Sequence, residues 1–186
     1  YLAVQKDGID DFLRLVIPLS HETYVLGLWR RSQQKIGQWI KGQLLLGLIV
    51  GLLVYLGLTI FQIKYALVLA IIAAIFELIP FFGPILSAVP AVLLGFSIGP
   101  VEGLMVGGLY VVIQQFENHL IYPLVVRKIV GIPPIIVIIG LIIGVKLAGF
   151  LGLILAVPLA TILMELLSDY GKKKHVFRQA LAESKN

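Results

Sequence analysis

The stretch QLLLGLIVGLLVYLGLTIFQI, residues 43–63, decides the fold class, because it runs for 21 residues without a charged side chain. As an α-helix it would be about 31 Å long, which is enough to cross the hydrocarbon core of a bilayer. Working outward, residues 43–167 consist almost entirely of Leu, Ile, Val, Ala, Gly and Phe, and the mean hydropathy of the chain is +1.01. Helices in water need a polar face, so this composition predicts a membrane protein.

The next apolar run, residues 65–99, is too long for one ordinary span and is interrupted by Ile79-Pro80-Phe81-Phe82-Gly83-Pro84. Two prolines four residues apart remove two backbone donors and restrict the residues that precede them. The run therefore predicts two short helices, 65–79 and 85–98, with a non-helical segment at 80–84 between them. Short paired helices of this kind are typical of the broken or re-entrant helices found in transporters.

Three further apolar segments follow, at 101–122, 135–145 and 149–167, so that the chain has six hydrophobic segments in all. We expect an all-α fold, a polytopic membrane helix bundle with broken or re-entrant short helices. Proline lacks the backbone N–H that a helix interior needs, and glycine tolerates unusual backbone angles. The residues expected at helix breaks are Pro80, Gly83, Pro84, Pro90, Pro123, Pro134 and Pro158.

Polar residues concentrate at the two ends of the chain. They divide it into a polar, amphipathic interfacial segment at 1–42, a membrane domain at 43–168 and a basic tail at 169–186. Basic residues beside apolar spans mark the cytoplasmic side, so both ends of this chain are expected in the cytoplasm. No nucleic-acid partner is expected, because these bases adjoin membrane helices. The chain starts at Tyr1 and shows no signal peptide, so we expect it to be part of a longer protein.

A helix is expected to begin near Ser20 and to carry Trp29 and Trp39 on one face, with Arg30 and Arg31 on others. A basic amphipathic helix with two tryptophans suits a membrane interface. The same pattern suits a helix that packs on another protein helix, and the sequence leaves both alternatives open.

Polar side chains within apolar segments are candidates for function, because hydrocarbon makes them costly. Gln114, Glu117 and Asn118 follow Tyr110 at helical spacing, so they project on one side of a helix. An acid between two amides can line a wet path or bind a cation. The alternative is a helix end near the lipid headgroups, where water or Arg127 would satisfy the Glu117 carboxylate.

Glu77 is the second acidic candidate, because it lies three residues before Pro80, where the helical hydrogen bonds are already interrupted. A carboxylate beside freed backbone carbonyls can form an ion or substrate site. The alternatives are an ordinary interface position or a salt bridge. Glu165 and Asp169 are expected at the cytoplasmic end of the last helix, near Lys172–Lys174.

Glycines four residues apart predict close helix contacts, at Gly47/Gly51, Gly95/Gly99, Gly103/Gly107 and Gly140/Gly144. The chain has no cysteine, and it contains no His-rich metal motif, nucleophile elbow or phosphate loop. We therefore expect no enzymatic activity, no catalytic residues, no metal site and no cofactor.

Several motifs in fixed order resemble the autoinducer-2 exporter family of bacterial membrane proteins. They are Glu77-Leu78-Ile79-Pro80-Phe81-Phe82-Gly83-Pro84 with Pro90-Ala91, Gln114-Gln115-Phe116-Glu117-Asn118 with Pro123, Gly131-Ile132-Pro133-Pro134, Gly149-Phe150-Leu151-Gly152 and Ala156-Val157-Pro158. The resemblance covers roughly residues 18–168. It implies a multi-pass, homo-oligomeric permease of the bacterial inner membrane, and family members are longer, with further spans upstream.

Three functions remain open at this point. The first is a transporter, exporting a small polar solute, with Glu77, Gln114, Glu117 and Asn118 along its path. The second is a monovalent cation/proton antiporter that uses Glu77 and Glu117 as exchanging carboxylates. The third is a membrane scaffold that does not transport. The expected partners are accordingly the lipid bilayer, a small polar solute or a monovalent cation, and further copies of the chain.

Overall fold

The computed structural model describes the backbone of residues 8–121 and 134–183, and the side chains of residues 9–19, 21–121 and 135–170. These parts of the chain are helical and contain no strand, which confirms the all-α prediction. The helices are α1 Gly8–Val16, α2 Leu19–Ile60, α3 Ala66–Phe76, α4 Phe82–Ile98, α5 Pro100–Phe116 and α6 Pro134–Glu183, with a π-helical turn, Glu117–Ile121, directly after α5.

The helices fall into two compact units, which are described separately below. Unit 1 comprises residues 1–37 and 132–186, and unit 2 comprises residues 38–131. Helix α2 runs without interruption from the polar amino-terminal segment into the uncharged stretch that predicted a span.

Long apolar helices and exposed apolar side chains characterise the chain as a membrane helix bundle. His21–Ile60 is long and apolar enough to cross a bilayer. Ile135–Tyr170 is equally apolar but is interrupted at Ala148 and Gly149, and Ala66–Phe76 and Phe82–Ile98 are shorter apolar helices. Large side chains such as Leu48, Ile60 and Leu147 are 69%, 75% and 81% exposed. Water would penalise such exposure, but hydrocarbon does not, so these faces suit contact with lipid.

The predicted break in unit 2 exists, but it is shifted toward the amino terminus. Helix α3 ends at Phe76 and α4 begins at Phe82, so the interruption covers Glu77–Phe81 rather than 80–84. Proline is tolerated in the first turn of a helix, where its missing N–H has no intrahelical acceptor. For this reason Gly83 and Pro84 belong to the first turn of α4 and not to the break.

Other proline predictions need correction as well. Pro90 lies inside α4 and Pro158 lies inside α6, and the helix continues through each of them. Pro134 starts α6, as a first-turn proline should. Pro123 lies outside the described residues. The actual interruption of α6 is at Ala148 and Gly149, and the φ of +57° at Gly149 suits glycine because it has no Cβ.

Close helix contacts in each unit use the predicted glycines. In unit 2 a Cβ on Gly47 would lie 2.7 Å from the Ala74 carbonyl oxygen, and a Cβ on Gly95 would lie 3.0 Å from the Gly103 Cα. In unit 1 a Cβ on Gly144 would lie 2.4 Å from the Gly152 carbonyl oxygen. The glycines therefore let α2 approach α3, α4 approach α5, and the two arms of α6 fold against each other as a hairpin.

Candidate functional site

Unit 2 gathers the predicted path residues around one cavity of about 100 Å³. Glu77 comes from the break after α3, Gln114 from α5, and Glu117 and Asn118 from the π-helical turn. We call this cavity the acid pocket, and its other lining residues are Gln43, Leu46, Pro80, Phe81 and Pro84. Residues that are 37 to 41 positions apart in sequence thus meet at a single site.

The break positions Glu77 at the pocket because α3 cannot continue past it. The Glu77 N–H still donates to the Ala73 carbonyl at 3.0 Å, and the chain then turns through Pro80. The Phe82 N–H donates to the Pro80 carbonyl, and the Gly83 N–H donates to the Ile79 carbonyl, both at 2.8 Å. These bonds satisfy backbone donors that would otherwise be unpaired within the membrane.

Two backbone features indicate that this turn is tightly constrained. Phe81 has a φ of +66°, a conformation that costs a non-glycine residue free energy and tends to occur at functional sites. A Cβ on Gly83 would lie 2.0 Å from the Phe76 carbonyl oxygen and 3.2 Å from the Glu77 Cα. A side chain at Gly83 would therefore push on the residues that place Glu77.

The acids of the pocket are buried beside each other. Glu77 and Glu117 are 1% and 6% exposed. Their carboxyl groups lie within hydrogen-bonding reach of each other, so the pair can share a proton. One oxygen of each carboxyl group, Oε2, is buried without a hydrogen-bond partner. When two neighbouring buried carboxyl groups are both ionised, their negative charges repel each other unless a cation lies between them.

Gln43 is a site residue that sequence analysis missed. It is 1% exposed, its amide nitrogen donates to the Glu77 backbone carbonyl, and its own Oε1 is buried without a partner. The amide therefore holds the carbonyl at the end of α3 and adds a third unsatisfied oxygen to the pocket. A polar residue at the beginning of an otherwise apolar span was the only sequence signal for it.

Gln114, on α5, and Glu117 and Asn118, at the start of the π-helical turn, share one side because they lie at helical spacing. A π turn inserts an extra residue into the helical repeat and changes the direction of the side chains that follow, and such turns are frequent at functional sites. His119, in the same turn, is turned back onto the Gln115 carbonyl with a separation of 3.0 Å and lies outside the pocket lining.

Beside the acid pocket, α4 and α5 form an apolar groove of about 400 Å³. The two cavities share Pro84 and Gln114 as walls. The groove is lined mainly by aliphatic side chains, together with Tyr110, whose hydroxyl is buried without a partner.

Unit 1 buries an acid in a different setting. Glu165 is 6% exposed, and its carboxylate accepts hydrogen bonds from Arg31 at 3.2 Å and from Lys35. Asp169 accepts a bond from the same Arg31 at 2.5 Å. Sequence analysis placed both acids near Lys172–Lys174, whose side chains lie outside the described set. The observed partners, Arg31 and Lys35, lie on α2. This part of α2 therefore packs on another helix of unit 1, which is one of the two alternatives that the sequence left open.

The described residues contain no group of three or more His, Cys, Asp or Glu side chains that could hold a metal ion. Among the described lining residues the pocket has two acids, and the other polar side chains are the amides of Gln43, Gln114 and Asn118. Such a set of groups suits proton sharing, hydrogen bonding to a polar solute, or contact with a cation.

Comparison with known proteins gives a consistent result. Residues 1–172 match the family model described as "AI-2E family transporter". The chain is 37% identical over 143 residues to the Bacillus subtilis protein named "Putative transport protein YueF" and 36% identical over 135 residues to "Putative transport protein YrrI" of the same species. It is 28% identical over 166 residues to "Putative permease PerM" of Escherichia coli.

These alignments cover most of this chain but less than half of each relative. For YueF, YrrI and PerM they include 77%, 72% and 88% of this chain, and 39%, 38% and 46% of the relative. The chain thus spans about two fifths of the length of the first two relatives. No solved structure shows significant similarity to it.

Proposed function

Since this chain belongs to the AI-2E transporter family, we propose that it is part of an inner-membrane permease that exports a small polar solute through unit 2. Both ends of the chain would lie in the cytoplasm, and several copies would assemble in the membrane. The acid pocket would be the point on the path where the solute loses its water and exchanges it for protein groups.

One observation carries this proposal, namely the burial of Glu77 and Glu117 with no basic side chain among the described residues that line the pocket. Unpaired acids inside a membrane are expensive and are retained mainly where they contact a solute, an ion or a proton. The amides of Gln114 and Asn118 add donors and acceptors that can replace the hydration of a polar solute.

A second candidate function is monovalent cation/proton exchange. The close approach of the Glu77 and Glu117 carboxyl groups favours it. Such a pair can hold either one proton or one cation, and binding of the cation would release the proton. Both functions use the same two acids, but they differ in whether the carboxylate charge is indispensable.

Flux measurements on the purified protein in proteoliposomes would test the proposal. One assay supplies autoinducer-2, the solute after which the family is named, without an ion gradient. The other imposes a sodium gradient and records the internal pH. Solute flux without ion coupling supports the permease, and a sodium-driven pH change supports exchange. Absence of both fluxes would contradict transport and favour a scaffold.

Glu117→Gln divides the two functions, because it removes the charge while the size and shape of the side chain stay nearly the same. Exchange should be almost abolished, whereas passage of a neutral solute should retain a good part of its rate. Glu102→Gln is the matched control, since Glu102 is an acid on α5 that does not line the pocket. Equal flux in wild type and in both variants would show that Glu117 is not part of the transport path.

A further inference from the structure

The acid pocket presents unsatisfied hydrogen-bond acceptors. The buried atoms without partners are the Oε1 of Gln43 and the Oε2 atoms of Glu77 and Glu117, and they come from three different segments of unit 2. A buried acceptor without a donor is unfavourable. An occupant with several N–H donors and a positive charge would satisfy all three oxygens at once. A primary ammonium group carries three such donors and one such charge.

The groove beside the pocket requires a different chemistry. Its walls are mainly apolar side chains of α4 and α5, such as Val89, Val92 and Val111. It is the larger of the two cavities, about 400 Å³ against about 100 Å³. Because Pro84 and Gln114 line both cavities, a molecule with its polar end in the pocket can place an attached chain directly in the groove.

We propose that the solute recognised by this site is a primary alkylammonium, with its charged head in the acid pocket and its apolar chain in the groove between α4 and α5. This inference rests on the proposed function and specifies a cationic substrate class, for which, unlike for a neutral solute, the charge of Glu117 is needed. A bare cation would use the pocket alone, and a lipid chain would use the groove alone. The shared walls favour an occupant that uses both.

A series of alkylammonium ions from methyl to pentyl tests the proposal. Their binding to the purified protein in lipid nanodiscs would be measured by calorimetry, with the straight-chain alcohols of equal length as the control for partition into lipid. Each methylene that enters the groove should tighten binding about fourfold. The alcohols should bind at least tenfold more weakly, because they lack the charge that the two acids recognise.

Two glycine variants separate the groove from the pocket. Gly107 lines the groove, and a Cβ there would meet nothing closer than Val92 at 3.9 Å, so Gly107→Val should fold and occupy part of the space. It should flatten the dependence on chain length while methylammonium binding persists. Gly108→Val is the matched control, because Gly108 is exposed and a Cβ there meets nothing within 4 Å.

The possible outcomes distinguish this inference from the proposed function. If Glu117→Gln abolishes methylammonium binding but affinity in wild type does not rise with chain length, the acid pocket recognises the ammonium group and the proposal of an amphiphilic substrate is wrong. If alcohols bind as tightly as ammonium ions, or if Gly107→Val leaves the slope unchanged, the inference is also wrong. If no member of the series binds more tightly to wild type than to Glu117→Gln, the pocket itself does not recognise cations and the inference falls.

Discussion

In unit 1 the buried carboxylate of Glu165 receives hydrogen bonds from Arg31 and Lys35. In unit 2 the buried carboxyl groups of Glu77 and Glu117 share one pocket, and none of the described residues that line it has a basic side chain. The same residue type is therefore satisfied in one unit and left unsatisfied in the other. A paired acid holds helices together, whereas an unpaired acid remains available to a solute, a cation or a proton.

The difference also lies in the backbone around the acids. Glu165 sits within α6, away from its interruption at Ala148 and Gly149. Glu77 caps the end of α3, and Glu117 begins a π-helical turn. Interrupted helices expose backbone groups and allow side chains to converge. Unit 1 has an interruption of its own at Ala148 and Gly149, but in unit 2 the irregular segments carry the buried acids, which supports the proposed role of unit 2 in transport.

The largest expected effect comes from the acid pair itself. Glu77→Gln and Glu117→Gln should each reduce ion-coupled flux by on the order of tenfold or more. The double variant should lose little beyond either single variant, because the two carboxyl groups act as one unit. Initial rates in proteoliposomes, normalised to the inserted protein, would measure this.

Glu165→Gln is the comparison for the acid pair, since it changes a paired acid of unit 1. It should leave flux within about twofold, because its role is structural. If Glu165→Gln reduced flux as much as Glu117→Gln does, the paired and unpaired acids would not differ in function.

The next effect concerns glycines that occupy equally crowded positions in the two units. A Cβ would lie 2.0 Å from a carbonyl oxygen at Gly83 and 1.8 Å from one at Gly152. Gly83→Ala and Gly152→Ala should each lower stability by roughly 1–3 kcal/mol, as overpacked helix contacts do. Thermal unfolding in detergent would measure this loss.

Only Gly83→Ala should also reduce the flux of the protein that remains folded, because it displaces Phe76 and Glu77. Gly108→Ala, at an open position, should preserve both stability and flux. A flux loss confined to Gly152→Ala would contradict the assignment of transport to unit 2.

A smaller effect is expected for the ion pair between Lys35 and Glu165. The Lys35 side chain is 43% exposed and the Glu165 side chain is 8% exposed, so solvent screens the interaction in part. A double-mutant cycle with Lys35→Met and Glu165→Gln should give a coupling of about 1 kcal/mol. The same cycle on Arg31 and Glu165 provides a second estimate of the coupling. Zero coupling in both cycles would show that the ion pairs of Glu165 do not stabilise unit 1.

The smallest effect is expected at the edge of unit 1, where Arg30 donates to Asp10 at 3.0 Å with 62% of the Arg30 side chain exposed. Asp10→Asn should change stability by less than about 0.5 kcal/mol. The midpoint of thermal unfolding would show it. A change as large as that of Glu165→Gln would mean that exposure does not separate these two pairs.

The sequence by itself determined the fold class, the short paired helices before and after Pro80, and the close helix contacts at glycine. These features follow from local properties, namely hydropathy over about 20 residues, proline chemistry and the spacing of small residues. It also singled out Glu77 and, separately, the polar side chains of Gln114, Glu117 and Asn118, because polar groups are conspicuous in an apolar run.

Only the tertiary structure decided which of these residues meet. Glu77 and Glu117 are 40 positions apart, and Gln43 is 34 positions from Glu77. Arg31 and Glu165 are separated by 134 positions. Helical periodicity states on which side of its own helix a residue lies, but not which other helix packs there. The depth and packing of whole helices set those contacts, and the exact end of α3 depended on how tightly Gly83 lets α4 approach it.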